Sequence, residues 1–280
     1  MRALVCPGQG SQKKGFLSPW LEIEGVREHL ERLSEAAGID LIHYGTEAEE
    51  ETIKDTAIAQ PLIVAAGIVT GRLALRELDG EELIFAGHSV GEITAAALAG
   101  VLSDEDAMRF VRVRANGMAE AAAASPTGMA AVLGGVEETV REAIDAAGLV
   151  AANSNGGGQI VAAGPIPAIE AFAANPPARA RVIPLKVAGA FHTEAMAPAV
   201  PALEEFAASL QVSDPTSALL TNRDGSAVAS GEEFVKTLVS QVTSPVRWDL
   251  CMATLLEREV AGIIEVAPAG TLVGLAKRAM

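Results

Sequence analysis

Three residues, far apart in the chain, have the types and settings that nucleophilic catalysis needs: a serine on a cramped turn, a histidine after a strand-like run, and an arginine on an apolar helix face. Ala86-Gly87-His88-Ser89-Val90-Gly91-Glu92 follows an apolar run and opens a small-residue helix, the strand–turn–helix setting of a nucleophile elbow. The turn is tight and strained, so the positions two residues either side of the serine must lack bulk, and Gly87 and Gly91 meet that need. The helix that starts there directs free N–H groups and its positive dipole end at the serine, favouring developing negative charge. An inert serine in a glycine-rich turn is the alternative, and the flanking elements argue against it.

A serine hydroxyl is a weak nucleophile without a base. The chain has four histidines. His29 lies in a charged helical stretch and reads as solvated; His43 sits in a linker-like segment. His88 adjoins Ser89, but on an elbow its side chain diverges from the serine, which gives it a structural role beside the site. His192 follows Lys186-Val187-Ala188-Gly189-Ala190-Phe191, where an inserted segment returns to the main body, and such junctions are where clefts form. His192 is the expected base, with a core histidine as the alternative. An oxyanion formed at Ser89 needs two donors. The N–H of Val90, just after the nucleophile, is one. The N–H of Gln9, in Pro7-Gly8-Gln9-Gly10-Ser11-Gln12, is the candidate for the other, because its glycines let backbone approach a ligand; a plain tight turn is the alternative.

The predicted helix from Asp104 to Ala121 carries Arg109, Arg112, Asn116 and Glu120 as a polar stripe. Arg114 falls instead in register with Ala107, Val111 and Met118, on the apolar face. A stranded buried charge costs about 3–5 kcal/mol, and no acid of this helix lies on that face. Either a distant acid pairs with Arg114 or a ligand carboxylate does, and the planar guanidinium suits the second by its bidentate geometry.

The elements that must position these groups alternate between short apolar runs and amphipathic stretches, which predicts an α/β fold with a mostly parallel sheet. Ala3 to Cys6, Leu83 to Ala86 and Gly262 to Val266 read as strands, with helices over Val90 to Ala99, Asp104 to Ala121 and Leu272 to Arg278. Between them the rhythm changes. Met129 to Leu133, Val150 to Ala152, Gln159 to Ala163 and Arg181 to Val187 are strand-like, with helical faces after the first and third and a polar loop over Asn153 to Gly158. This β-α-β-β-α-β order is the ferredoxin-like pattern. Residues 127–189 are therefore expected to form a small ferredoxin-like domain inserted in an α/β-hydrolase-like large domain made of 1–126 and 190–280, with a hinge over Ala121 to Pro126.

Half the residues are hydrophobic and 4% aromatic, so the core is expected to be aliphatic. The net charge of −15 repels nucleic acid and anionic membrane, so neither is an expected partner. No uncharged apolar run approaches the roughly 20 residues of a spanning helix. The N-terminal apolar run is too short for a secretory signal, and Cys6 and Cys251 suggest neither a disulfide framework nor a metal site. The cytoplasm is the expected location.

Taken in order, Pro7-Gly-Gln-Gly-Ser-Gln12, Gly87-His-Ser-Val-Gly-Glu92, Arg114, Ala190-Phe-His192, Ser244-Pro-Val-Arg-Trp248, Glu265-Val-Ala-Pro-Ala-Gly270 and Gly274-Leu-Ala-Lys-Arg278 resemble the malonyl-CoA:acyl-carrier-protein transacylase family of type II fatty acid synthesis. The resemblance covers essentially the whole chain, the ferredoxin-like insert included. It implies that Ser89 takes malonyl from malonyl-CoA and passes it to the phosphopantetheine thiol of acyl carrier protein, with no bound cofactor and no metal. It further implies that His192 is the base, oriented by a main-chain carbonyl near Arg247, that Gln9 and Val90 form the oxyanion hole, and that Arg114 binds the malonyl carboxylate. Gln60 and Asn153 match positions lining the family's cleft. Ala-Phe-His before the base resembles malonyl-selective relatives, whereas Ala-Ser-His accompanies methylmalonyl; Phe191 would fill the space an α-methyl needs. Lys186, Lys277 and Arg278 are candidates to face an acidic carrier protein.

A patatin-like lipid hydrolase is the rival enzyme, with Asp224 of Asn222-Arg-Asp-Gly-Ser226 as partner of Ser89, although that sequence is also a good turn. A non-catalytic acyl-carrier scaffold is the rival of another class, and no feature of the chain favours it.

Overall fold

In the computed structural model, which describes residues 1–279, ten strands occur in the order β1 (Arg2–Cys6), β2 (Leu83–Gly87), β3 (Thr127–Gly134), β4 (Val150–Gly156), β5 (Gln159–Pro165), β6 (Ala180–Pro184), β7 (Ala218–Leu220), β8 (Ala227–Val228), β9 (Val246–Arg247) and β10 (Ile263–Glu265). They form two sheets. The first has the order β10-β1-β2-β7-β8, parallel except for β8. Strand β2 sits at its centre with all five residues buried, and the uninterrupted apolar run Leu83–Ala86 is what a strand covered on both faces requires. The second sheet has the order β6-β3-β5-β4-β9. Its first four strands pair antiparallel with the connectivity of a ferredoxin-like unit, and β9 adds a parallel edge to β4 from outside residues 127–189.

Helices cover the first sheet. Thr56–Glu77 is buried on nearly every face from Ala59 to Gly71, against the helices Gly91–Leu98 and Asp104–Ala123. Contrary to the expectation that no apolar run nears spanning length, it is long and apolar enough to cross a membrane, but 72% of its most apolar window is buried inside the fold, as in a core helix. Asp104–Ala123 starts where Ser103 accepts a hydrogen bond from the Asp106 N–H, with three acidic residues in the first turn to meet the helix dipole.

Several expected boundaries move. The predicted polar loop over 153–158 is strand through Gly156, because β4 pairs with β5 on one side and β9 on the other. The predicted strand from Arg181 ends at Pro184. The first part of the expected hinge continues the helix to Ala123, leaving the turn to the residues that follow. His43 lies in a helix, Leu41–Thr46, capped by Asp40, and not in a linker.

Candidate active site

Ser89 stands at the end of β2 with φ 53°, a left-handed conformation that costs a residue with a Cβ about 1–2 kcal/mol. The surroundings compel it. A Cβ on Gly87 would overlap the backbone of Gly91 and Glu92, and one on Gly91 would overlap the Cys6 carbonyl. Glycine alone lets the helix Gly91–Leu98 start so close to β1 and β2. Asn222 braces the turn: its Oδ1 accepts from the Ser89 N–H at 2.8 Å and its Nδ2 donates to the Gly87 carbonyl at 2.7 Å.

The Ser89 hydroxyl donates to His192 Nε2 at 2.7 Å. On the other side of the ring, Nδ1–H donates to the main-chain carbonyl of Gln241 at 2.8 Å. A carbonyl can only accept, so the proton sits on Nδ1 and Nε2 is left as the acceptor facing the serine. Burial, with the nearby positive charge of Arg114, pushes the His192 pKa down to about 3, so the ring is neutral at ordinary pH. The carbonyl that holds the His192 ring therefore belongs to Gln241 and not to Arg247. Arg247 lies in β9, where its side chain pairs with Asp249 at 2.8 Å and its N–H donates to the Asn222 carbonyl; the bend at Gln241–Thr243, not the strand after it, reaches the ring.

Arg114 is 1% exposed and, among the described residues, has no acidic partner within ion-pair distance. Nη1 donates to Gln60 Oε1 at 2.7 Å, and Nη2 to Gln241 Oε1 at 2.7 Å and to Ser89 Oγ at 3.4 Å. Burial pulls its pKa down to about 10, and the negative charge of Glu92 opposes the fall, so the guanidinium stays charged near neutrality. Two neutral amides thus hold a cation aimed at the Ser89 hydroxyl.

The loop after β1 lies directly against the elbow, since a Cβ on Gly8 would stand 2.9 Å from the His88 carbonyl oxygen. The Gln9 side chain reaches Thr56 and Gln60 at 3.4 Å. Neither the Gln9 N–H nor the Val90 N–H donates to a protein acceptor among the described residues, whereas the Ser89 N–H is occupied by Asn222. Phe191 is buried in the large core beside His192, and Asn153 is buried on β4 opposite Val246. His88 turns away from Ser89: its Nε2–H donates to Asn155 Oδ1 at 2.8 Å, and its ring meets Trp248 edge-on. His29 is not solvated as expected: its ring reaches Asp104 at 3.1 Å. Asp224 is no partner of Ser89. It is an exposed turn residue that accepts from the Ser226 N–H and hydroxyl, as its sequence suits, which removes the basis of the hydrolase alternative. Lys186, Lys277 and Arg278 are exposed.

Three site residues escaped the sequence. Gln241 meets Ser89, Arg114 and His192; Asn222 braces the elbow; Glu92 is 1% exposed and joins the other two. Glu92 ends the elbow motif and could have been questioned as an acid on a buried helix start. Asn222 opens the turn sequence read above for Asp224, and Gln241 shortly precedes Ser244-Pro-Val-Arg-Trp248, but in neither stretch did the residue itself stand out.

The chain matches the acyl transferase domain family over residues 3–280. It is 53% identical over 280 residues to the malonyl CoA-acyl carrier protein transacylase of Mycobacterium tuberculosis, covering 99% of this chain and 93% of that protein. The crystal structure of MCAT from Mycobacterium tuberculosis superposes with a TM-score of 0.97 at 53% identity, over 99% of this chain and 93% of that one. A type II PKS acyl-carrier protein in complex with its malonyl-transacylase gives a TM-score of 0.91 at 30% identity, over 100% of this chain and 93% of that one.

Proposed function

The chain belongs to the acyl transferase domain family, and from that premise we propose that it transfers malonyl from malonyl-CoA to the phosphopantetheine thiol of acyl carrier protein through a malonyl-Ser89 ester. The observation that carries this reading is the buried guanidinium of Arg114, without an acidic partner and 3.4 Å from the Ser89 hydroxyl. A site built to receive a neutral acyl group gains nothing from a desolvated cation there, whereas the free carboxylate of a malonyl thioester supplies the missing charge in bidentate form.

Each half-reaction uses the same groups. His192 Nε2 takes the Ser89 proton as Oγ attacks the thioester carbonyl. The oxyanion that forms is met by the N–H groups of Gln9 and Val90, a contribution worth on the order of 3 kcal/mol per donor. As the tetrahedral intermediate collapses, the carbon–sulfur bond breaks, the proton on His192 goes to the coenzyme A thiolate, and the malonyl ester of Ser89 remains. The carrier thiol then gives its proton to His192 and attacks the ester carbonyl; the serine leaves and regains the proton. Arg114 holds the carboxylate throughout, with Gln60 at its side, while Phe191 and Asn153 bound the acyl space. A ring held by a neutral carbonyl is a weaker base than one held by a carboxylate, which disfavours activation of water. We assign residues 1–126 and 190–280 to the catalytic unit and 127–189 to the small unit. The two substrates place the enzyme in the cytoplasm, with neither a resident cofactor nor a metal taking part.

Intact mass after mixing with malonyl-CoA tests the reading. Wild type gains one malonyl group that persists without an acceptor and is discharged by holo carrier protein; Ser89→Ala gains none. An adduct on Ser89→Ala, or rapid loss of the ester to water, would count against it.

A further inference from the structure

Glu92 is a buried carboxyl that no step above uses. It opens the helix Gly91–Leu98, is 1% exposed, and pairs with no cation among the described residues. A buried carboxylate survives only if its oxygens are given donors. Oε1 accepts from the Asn222 N–H at 2.6 Å, and Oε2 accepts from Gln241 Nε2. Burial pushes the carboxyl up to about 7, against the pull of these donors and of the Arg114 charge; the Cys251 thiol, the other titratable group facing it, is pushed far up and stays neutral.

The orientation of the Gln241 amide follows from its neighbours. Arg114 has only donors, so Gln241 Oε1 must face it; the Ser89 carbonyl only accepts, so Nε2 must face that. One amide hydrogen is then left, and it points at Glu92. We propose that Glu92 is a positioning residue for acyl-group selectivity: by accepting that hydrogen it locks the Gln241 amide with its oxygen on Arg114, and so keeps the guanidinium aimed over Ser89 without binding it. The arrangement keeps negative charge close to the cation but interposes an amide. A carboxylate in direct contact would compete with the carboxylate of the substrate, while an amide oxygen gives way to it. The inference rests on the reading of Arg114 as the malonyl carboxylate's partner.

Glu92→Gln preserves shape but supplies one acceptor and one donor where two acceptors are required. Whichever way that side chain turns, a donor faces the Asn222 N–H or the Gln241 amide. Initial rates of malonyl and acetyl transfer are to be measured at pH 8 for wild type, Glu92→Gln, Gln241→Met and the double variant, with Tm recorded for each. The expected result is a fall of about tenfold or more in the malonyl-over-acetyl ratio of kcat/KM in each single variant, and no more than about a further twofold in the double, because both act through one contact. An unchanged ratio, equal loss with both donors, or multiplying effects would overturn the proposal. If Glu92→Gln does not fold, Gln241→Met decides, since it keeps the main-chain carbonyl that holds His192; an unchanged ratio there overturns the proposal equally. A malonyl preference that survives Arg114→Ala overturns the reading of Arg114 and this inference together, whereas a preference lost in Arg114→Ala but intact in Glu92→Gln overturns this inference alone.

Discussion

His192 Nε2 lies 2.7 Å from the hydroxyl of Ser89, a residue 103 positions earlier in the chain. The contact joins the elbow after β2 to the segment that returns from β6, so the His192 ring arrives only when the inserted unit has been traversed. Both residues have positive φ, 53° at Ser89 and 62° at His192, and local strain held at two contacting positions is a cost the surrounding hydrogen bonds must meet.

The depressed pKa of His192 makes stability depend on acid. The ring is neutral in the folded chain down to about pH 3 and takes up a proton near 6.5 when unfolded. Its contribution is therefore present above pH 6.5 and lost as pH falls from there toward 3. Between pH 7 and 5, denaturant titrations should show wild type losing about 2 kcal/mol more stability than His192→Gln; the comparison cancels Glu92, whose raised pKa acts in the opposite sense. Ring proton shifts followed by NMR should show no titration of His192 between pH 8 and 5.

Arg114→Ala should lower malonyl transfer about 100-fold or more, in line with loss of a buried charge pair, while acetyl transfer is retained or raised. Steady-state rates with the two donors distinguish this from a structural role, which predicts equal loss. Burial is the first cause of the low His192 pKa and the Arg114 charge the second, so His192 should titrate at a higher pH in this variant.

The elbow makes a prediction about stability alone. Gly87→Ala and Gly91→Ala place a methyl group into backbone and should each cost about 3 kcal/mol or more, or abolish folding. Ser89→Gly relieves the left-handed strain, and should be more stable than Ser89→Ala by about 1 kcal/mol. Thermal unfolding of the four variants checks both.

Phe191 is buried and directly precedes His192. Phe191→Ser should raise methylmalonyl transfer relative to malonyl by about tenfold, since the ring's volume becomes available to the α-methyl. Competition between the two thioesters, read by intact mass of the acyl-enzyme, measures the ratio.

Local chemistry was legible from the sequence wherever a few adjacent residues carried the whole signal. Gly87 to Gly91 announced the elbow because the steric demand acts between neighbours. Helical register marked Arg114 as a charge on an apolar face but left its partner open, and the alternation of apolar runs was enough to order β3 through β6 as a ferredoxin-like unit. Strand ends were not legible: Asn153 to Gly156 look like a polar loop, and only pairing with β5 and β9 makes them strand.

The tertiary structure decided which groups hold these residues in place. Gln241 stands 152 positions from the Ser89 carbonyl it touches, Asn222 stands 133 from the Ser89 N–H, and Glu92 reaches both. The carbonyl that fixes the tautomer of His192 is a main-chain group that every residue possesses, so no side chain could mark it in advance. A sequence specifies the reacting groups through local sterics and side-chain type; the orientation of an amide, the choice of a carbonyl and the partner of a buried acid depend on which distant segments the folded core brings within hydrogen-bond reach.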